Sequence, residues 1–196
     1  MTDLITLEEY KEAQGITSLK EDLRLENLIP SVSQLIKTYC GSCILDYYDT
    51  NKTEIVNIDY STHIIHLTEW PVNTIVSVEE RSSYQSEYVE LTEAAHEFYF
   101  DQATDSIFRT TGGLNYKNWP RGPGAVKIVY TAGYAETPAD LRLAVIDLIT
   151  YYLKDEHKER RTLSGASMQN QGTTSQINSA SFPDHIKRVL DLYKNF

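Results

Sequence analysis

If this chain performs chemistry, a short set of side chains must carry it. Cys40-Gly-Ser-Cys43 has the C-x-x-C spacing used by redox and zinc sites. A redox pair needs its thiol at a helix N-terminus, where the dipole lowers the thiol pKa. Cys40 instead closes a helical pattern that Gly41 ends, so the dipole acts the other way. Zinc needs a second cysteine pair or well-placed histidines, and the sequence has no further cysteine. Two packed or idle thiols are the expectation.

The histidines offer little more. His63 and His66 lie three apart on an expected strand and so point to opposite faces. His96, His157 and His185 are scattered. Serine and aspartate are abundant, but no G-x-S-x-G elbow presents a nucleophile. Gly112-Gly113 and Gly122-Pro-Gly124 lack a phosphate-loop lysine and read as hairpin connections. Asp155-Glu-His-Lys-Glu-Arg-Arg161 mixes signs within two turns. It is either a solvated helix end or a subunit contact, where arginine is favoured. No catalytic, cofactor or metal residue is assigned.

The elements that would position such groups are easier to read. Thr6-Leu-Glu-Glu9 resembles a capping box, and Gly15 closes the helix it opens. Ser18-Leu-Lys-Glu21 repeats the device. The next helix places Leu25, Leu28, Ile29, Val32, Leu35, Ile36 and Tyr39 at helical spacing up to Gly41. Pro30 predicts a kink or brief break before Ser31.

From about Ile44 the period becomes alternating. Expected strands are Glu54–Tyr60, Ile64–Leu67, Val72–Glu80, Tyr88–Leu91, Glu97–Phe100, Ile107–Arg109 and Ala125–Tyr130. Turn-rich separators at regular spacing predict an antiparallel meander or a small barrel. Tyr84, Tyr88, Phe98, Tyr99, Phe100 and Phe108 are expected to fill its core.

After the strand ending at Tyr130, Gly133 turns the chain. Thr137 can cap a helix, Pro138 suits its first turn and Asp140 complements its dipole. Leu141, Ala144, Val145, Leu148, Ile149 and Tyr152 form its apolar stripe. Residues Thr162–Ser181 are rich in Ser, Thr, Gly, Asn and Gln and predict a flexible arm or long loop. Beyond them Ile186, Val189, Leu190 and Tyr193 share one helical face, which needs cover from its own domain or from a partner.

Composition bounds the reading. The chain has 196 residues, 41% of them apolar, a formal charge of −10 and a pI near 4.9. That balance disfavours a broad phosphate-binding surface, which needs clustered Lys and Arg. No secretory leader is evident, no apolar run approaches a membrane span, and two cysteines do not make a disulfide scaffold. A cytosol-like compartment is expected.

Three blocks resemble the head–tail connector (adaptor) family of tailed phages, the gp6-like group. They are Leu4-Ile-Thr-Leu-Glu-Glu-Tyr-Lys11 with Asp22–Ile29 and Ile36–Gly41; Trp70-Pro-Val-Asn-Thr-Ile-Val-Ser-Val78; and Val126–Tyr134 with Pro138–Leu153. The resemblance implies an α+β fold. A helical bundle (residues 1–43 and 135–161) would carry an inserted antiparallel β unit (44–134) and a C-terminal arm ending in a short amphipathic helix (162–196). It implies a structural protein of the virion neck, assembled in the host cytoplasm. Such proteins form a ring, typically a dodecamer, beneath the portal protein, above a head-closure or tail protein, with DNA passing through the lumen. The family offers no catalytic residue, cofactor or membrane contact to carry over. In several members a C-terminal segment reaches the portal, which makes Arg160, Arg161, Phe182, Ile186, Leu190, Tyr193 and Phe196 the candidate partner interface. The competing expectations are another neck or tail component of head-closure or tail-terminator type, a small hydrolase or nuclease using Asp/Glu and His residues, and a carbohydrate or ligand module built on the aromatic sheet.

Overall fold

A computed structural model of the chain describes residues 2–113, 115–154 and 182–194. The chain divides into a helical unit, residues 1–42 with 137–196, and a β unit, residues 43–136.

In the helical unit α1 spans Leu7–Gln14 and α2 spans Asp22–Cys40. Helix α1 begins as its sequence predicts. The Thr6 hydroxyl accepts from the Glu9 amide at 3.2 Å, and the Glu9 carboxylate accepts from the Thr6 amide at 2.7 Å. The second expected capping box does not form. The Ser18 hydroxyl instead accepts from the Lys20 amide, and α2 starts at Asp22 without a side-chain cap. Pro30 does not break α2, which is continuous from Asp22 to Cys40. Pro30 sits on the exposed face, where the carbonyl it leaves unpaired can meet water.

Helix α3, Ala139–Leu153, is apolar around most of its circumference, with Leu141, Ala144, Val145, Ile146, Leu148 and Ile149 all buried. It is the core helix of the unit. Thr137 does not cap it. Its hydroxyl donates to the Leu4 carbonyl, and Asp140 accepts from the Leu141 amide at 2.9 Å. Helix α4, Asp184–Leu190, continues into a 3₁₀ turn, Asp191–Tyr193. Among the described residues no helix is long and apolar enough to cross a membrane.

The β unit contains β1 (Lys52–Ile58), β2 (Ile64–His66), β3 (Val72–Glu80), β4 (Val89–Leu91), β5 (Phe98–Asp101), β6 (Ser106–Arg109) and β7 (Gly122–Ala132). They form two antiparallel sheets, one in the order β1-β7-β3-β4 and one in the order β2-β6-β5. This corrects the meander and barrel expectation. The last strand is the longest and lies between the first and the third. Val126, Ile128 and Tyr130 of β7 share one face and are fully buried, while pairing with β1 and β3 satisfies both backbone edges of the strand. The two sheets share one core, to which Val78, Ile107, Ile128 and Trp119 contribute. Gly122-Pro-Gly124 opens β7 instead of forming a hairpin loop.

The aromatic core expectation is also corrected. Phe98 is buried and Phe100 packs partly against the core, but Tyr99 and Tyr84 are 58% and 72% exposed. The largest fully buried rings of the β unit are Trp119 and Tyr130.

Gly133 ends β7 at a crowded joint. Its φ is +96°, and a Cβ there would stand 2.2 Å from the Ile44 carbonyl oxygen. Its amide donates to the Pro71 carbonyl at 2.8 Å, and its own carbonyl accepts from the Asn73 side chain at 3.0 Å. Only glycine fits both the backbone angle and the approach.

Candidate interaction surfaces

The cysteines and histidines singled out in the sequence have these surroundings. Cys40 is fully buried, and its thiol donates to the Leu190 carbonyl at 3.7 Å. Burial first, and then the nearby Asp191 carboxylate, push this thiol up to about 11. Burial and the neighbouring Glu69 also raise Cys43, whose amide donates to the Glu69 carboxylate at 2.9 Å. Neither cysteine is an activated thiolate. His63 stacks on Tyr116 with ring centroids 4.5 Å apart, and His66 shares a 2.8 Å hydrogen bond with Ser106. His96 stands at positive φ in a turn, and its carbonyl accepts from the Thr110 hydroxyl. His185 lies exposed, 3.9 Å from Asp147. Among the described residues no group of three His, Cys, Asp or Glu side chains could hold a metal ion.

Of the expected partner interface, Phe182, Ile186, Leu190 and Tyr193 are 3%, 1%, 0% and 9% exposed. They are core residues of the helical unit, covered by α2 and α3, and not a stripe presented to a partner. Burial follows from pattern, because a seven-residue helix is held only by packing its apolar face. Polar clasps fix its end. The Tyr39 hydroxyl donates to Asp191 at 2.7 Å and the Tyr193 hydroxyl donates to Asp140 at 2.6 Å. Burial and the Asp191 carboxylate raise the Tyr39 phenol to about 12. The Phe182 ring meets Tyr39 edge-on at 4.9 Å. Arg160, Arg161, Phe196, His157, the charged run 155–161 and the polar run 162–181 lie outside the described residues.

What the structure does expose is a set of surfaces that the sequence reading passed over. On the outward side of β2-β6-β5, Ile64, Phe108 and Tyr99 align across the strands. Tyr116 and His63 extend this row, with Phe108 and Tyr116 centroids 5.7 Å apart. Tyr99 and Tyr116 are 58% and 64% exposed. The signal was the alternation Phe98-Tyr99-Phe100, which sends the middle ring outward.

On the four-stranded sheet the Arg81 guanidinium lies over both Tyr84 and Tyr88, at 4.8 and 4.7 Å. It donates to the carbonyls of Gly124, Pro123 and Tyr84. Here the arginine braces the β3–β4 connection against β7, with each of its three nitrogens donating to a carbonyl. A Cβ on Gly124, whose φ is +56°, would meet its Nη2 at 2.5 Å.

On the helical unit, Leu19 and Leu23 are each 78% exposed at the start of α2. Charge is uneven as well. The β unit holds six Lys and Arg against fourteen Asp and Glu, a net −8 of the chain's −10. Such a balance disfavours a broad phosphate-binding surface.

The helical unit and the two-sheet β unit are both reached by one family model. The chain belongs to the head completion protein family, which is matched over residues 3–196. That agrees with the resemblance to phage head–tail connectors read from the sequence. A head completion protein of Escherichia phage T5 is 29% identical over 72 residues, 36% of this chain. The chain spans about two fifths (39%) of that relative's length.

The fold is also that of chains in gene transfer agent (GTA) particles. One belongs to the neck of an empty GTA particle computed with C6 symmetry, with a TM-score of 0.59 at 16% identity over 98% of this chain and 90% of that one. Another belongs to the neck of a native GTA particle computed with C12 symmetry, with a TM-score of 0.58 at 15% identity over 100% and 94%. At that identity the likeness is one of fold, and it bears out the α+β reading.

Proposed function

We propose that this chain is a structural subunit of a phage neck, repeated as a ring beneath the portal protein and continuing the DNA channel toward a head-closure or tail component. The observation that carries the reading is the reach of the family match, which includes both the helical and the β units. The necks in which the similar chains occur were computed with C6 and C12 symmetry, which is in keeping with a ring. The β unit's net charge of −8 suits a wall past which DNA must slide without being held.

Co-expression with the portal protein of the same genome, followed by electron microscopy, tests the proposal. A ring of this chain on one face of the portal is the expected result. Failure to co-purify with portal from either co-expression or intact particles overturns it.

A further inference from the structure

Resting on the ring reading above, we propose that the aromatic face of β2-β6-β5 is a subunit interface. Its occupant is the Leu19–Arg24 ridge of a second copy of this chain.

Two observations select that occupant. The first is complementarity. The face presents Phe108, Tyr99 and Tyr116, with ring centroids 5.7–6.3 Å apart, and at least two of these rings are mostly exposed. Asp101 ends β5 on the same side as Tyr99 and Glu97 directly precedes the strand; each carboxylate is held in its own turn, Glu97 accepting from the Thr92 amide and Asp101 from the Ala103 amide, so negative charge borders the rings. Ring faces and carboxylates both attract cations, and the rings also need apolar cover. The Leu19–Arg24 ridge offers that combination. Leu19 and Leu23 stand 78% exposed, and the exposed Lys20 directly follows Leu19.

The second observation is the charge imbalance. Two β units brought together would each contribute a net −8, so a face-to-face pairing of aromatic patches works against Coulomb repulsion. The helical unit carries only −2. Contact between the β unit of one copy and the helical unit of the next avoids the repulsion. It also uses two different faces per subunit, the heterologous arrangement that closes into rings.

The test places a photo-crosslinking benzoylphenylalanine at Tyr116 in the full chain. Irradiation is carried out on concentrated free protein and on protein assembled with the portal, and adducts are mapped by mass spectrometry. Adducts to residues 19–24 of another copy are expected. Leu23→Glu in the acceptor copy lowers their yield about tenfold, the effect of one contact's worth of binding energy, with its thermal midpoint unchanged because Leu23 is exposed. Tyr99→Ala in the donor copy does the same. Rings whose adducts fall elsewhere, or which form undiminished with Leu23→Glu, overturn this interface and leave the ring reading standing. Absence of any ring on the portal overturns both.

Discussion

Arg109 and Glu80 form a two-pronged ion pair across the two sheets of the β unit, with Nε to Oε2 at 2.9 Å and Nη2 to Oε1 at 2.8 Å. Arg109 belongs to β6 and Glu80 ends β3, so one planar pair ties the three-stranded sheet to the four-stranded one. The Arg109 side chain is 4% exposed and that of Glu80 15%. Its Nη1 donates further to the carbonyls of Glu97 and Thr110.

Removing one partner strands the other charge in the core. Glu80→Ala is expected to cost about 3–5 kcal/mol in urea unfolding. The double variant Glu80→Ala with Arg109→Met should cost clearly less than the sum of the singles. Additive losses would mean that the two groups act independently.

Gly133→Ala places a methyl group 2.2 Å from the Ile44 carbonyl oxygen at a φ of +96°. The backbone angle alone costs about 1–3 kcal/mol, and the clash adds to that. The expected outcome is a loss of cooperative unfolding or a fall of many degrees in thermal midpoint. An alanine variant melting within a few degrees of the parent would show that the joint can relax.

The Tyr193–Asp140 clasp gives stability a pH signature. The hydrogen bond from Tyr193 is the main reason the Asp140 carboxyl sits below its ordinary value of 3.8. A depressed folded pKa means the contribution is complete above that value and is lost as pH falls through the lower, folded one. Tyr193→Phe should therefore lower stability by about 1 kcal/mol at neutral pH. The gap between variant and parent should close in acid below pH 3.8. A gap independent of pH would assign the tyrosine's effect to packing alone.

Cys40 should resist thiol reagents. Burial lifts its pKa from 9.0 to about 11, which reduces the thiolate at pH 8 about a hundredfold before access is considered. Reaction with a disulfide reagent in the native state is expected to lag that of the urea-unfolded chain by at least that factor. Native and unfolded rates that match would contradict the buried placement.

How much of this was legible in the sequence depended on whether the signal was local. The capping box at Thr6 and Glu9 and the full extent of Val72–Glu80 were readable, because adjacent residues specify them. The Ser18 box failed because a hydroxyl so close to its own backbone found the Lys20 amide first. Strand order was out of reach. Thr53 pairs with Val129, and no local pattern records which distant strand a residue meets. The inward or outward sense of Tyr99 and Phe108 turned on a one-residue phase in four-residue strands. For Ile186 and Leu190 the periodicity showed an apolar face but not what covers it, and their own bundle does.

The order in which the chain is made gives its nested layout a further meaning. Strand β7 lies between β1 and β3, so the four-stranded sheet cannot close before Ala132 has emerged from the ribosome. Helices α1 and α2 wait longer, since the partners that bury Leu25, Ile29, Val32 and Ile36 lie beyond residue 137. Synthesis therefore releases a complete inner unit while the outer one is still half made. A product cut short after the β unit would carry a paired sheet and two helices with their apolar faces bare. Exposed apolar faces of that kind make a chain prone to aggregate, so only the finished chain hides both cores.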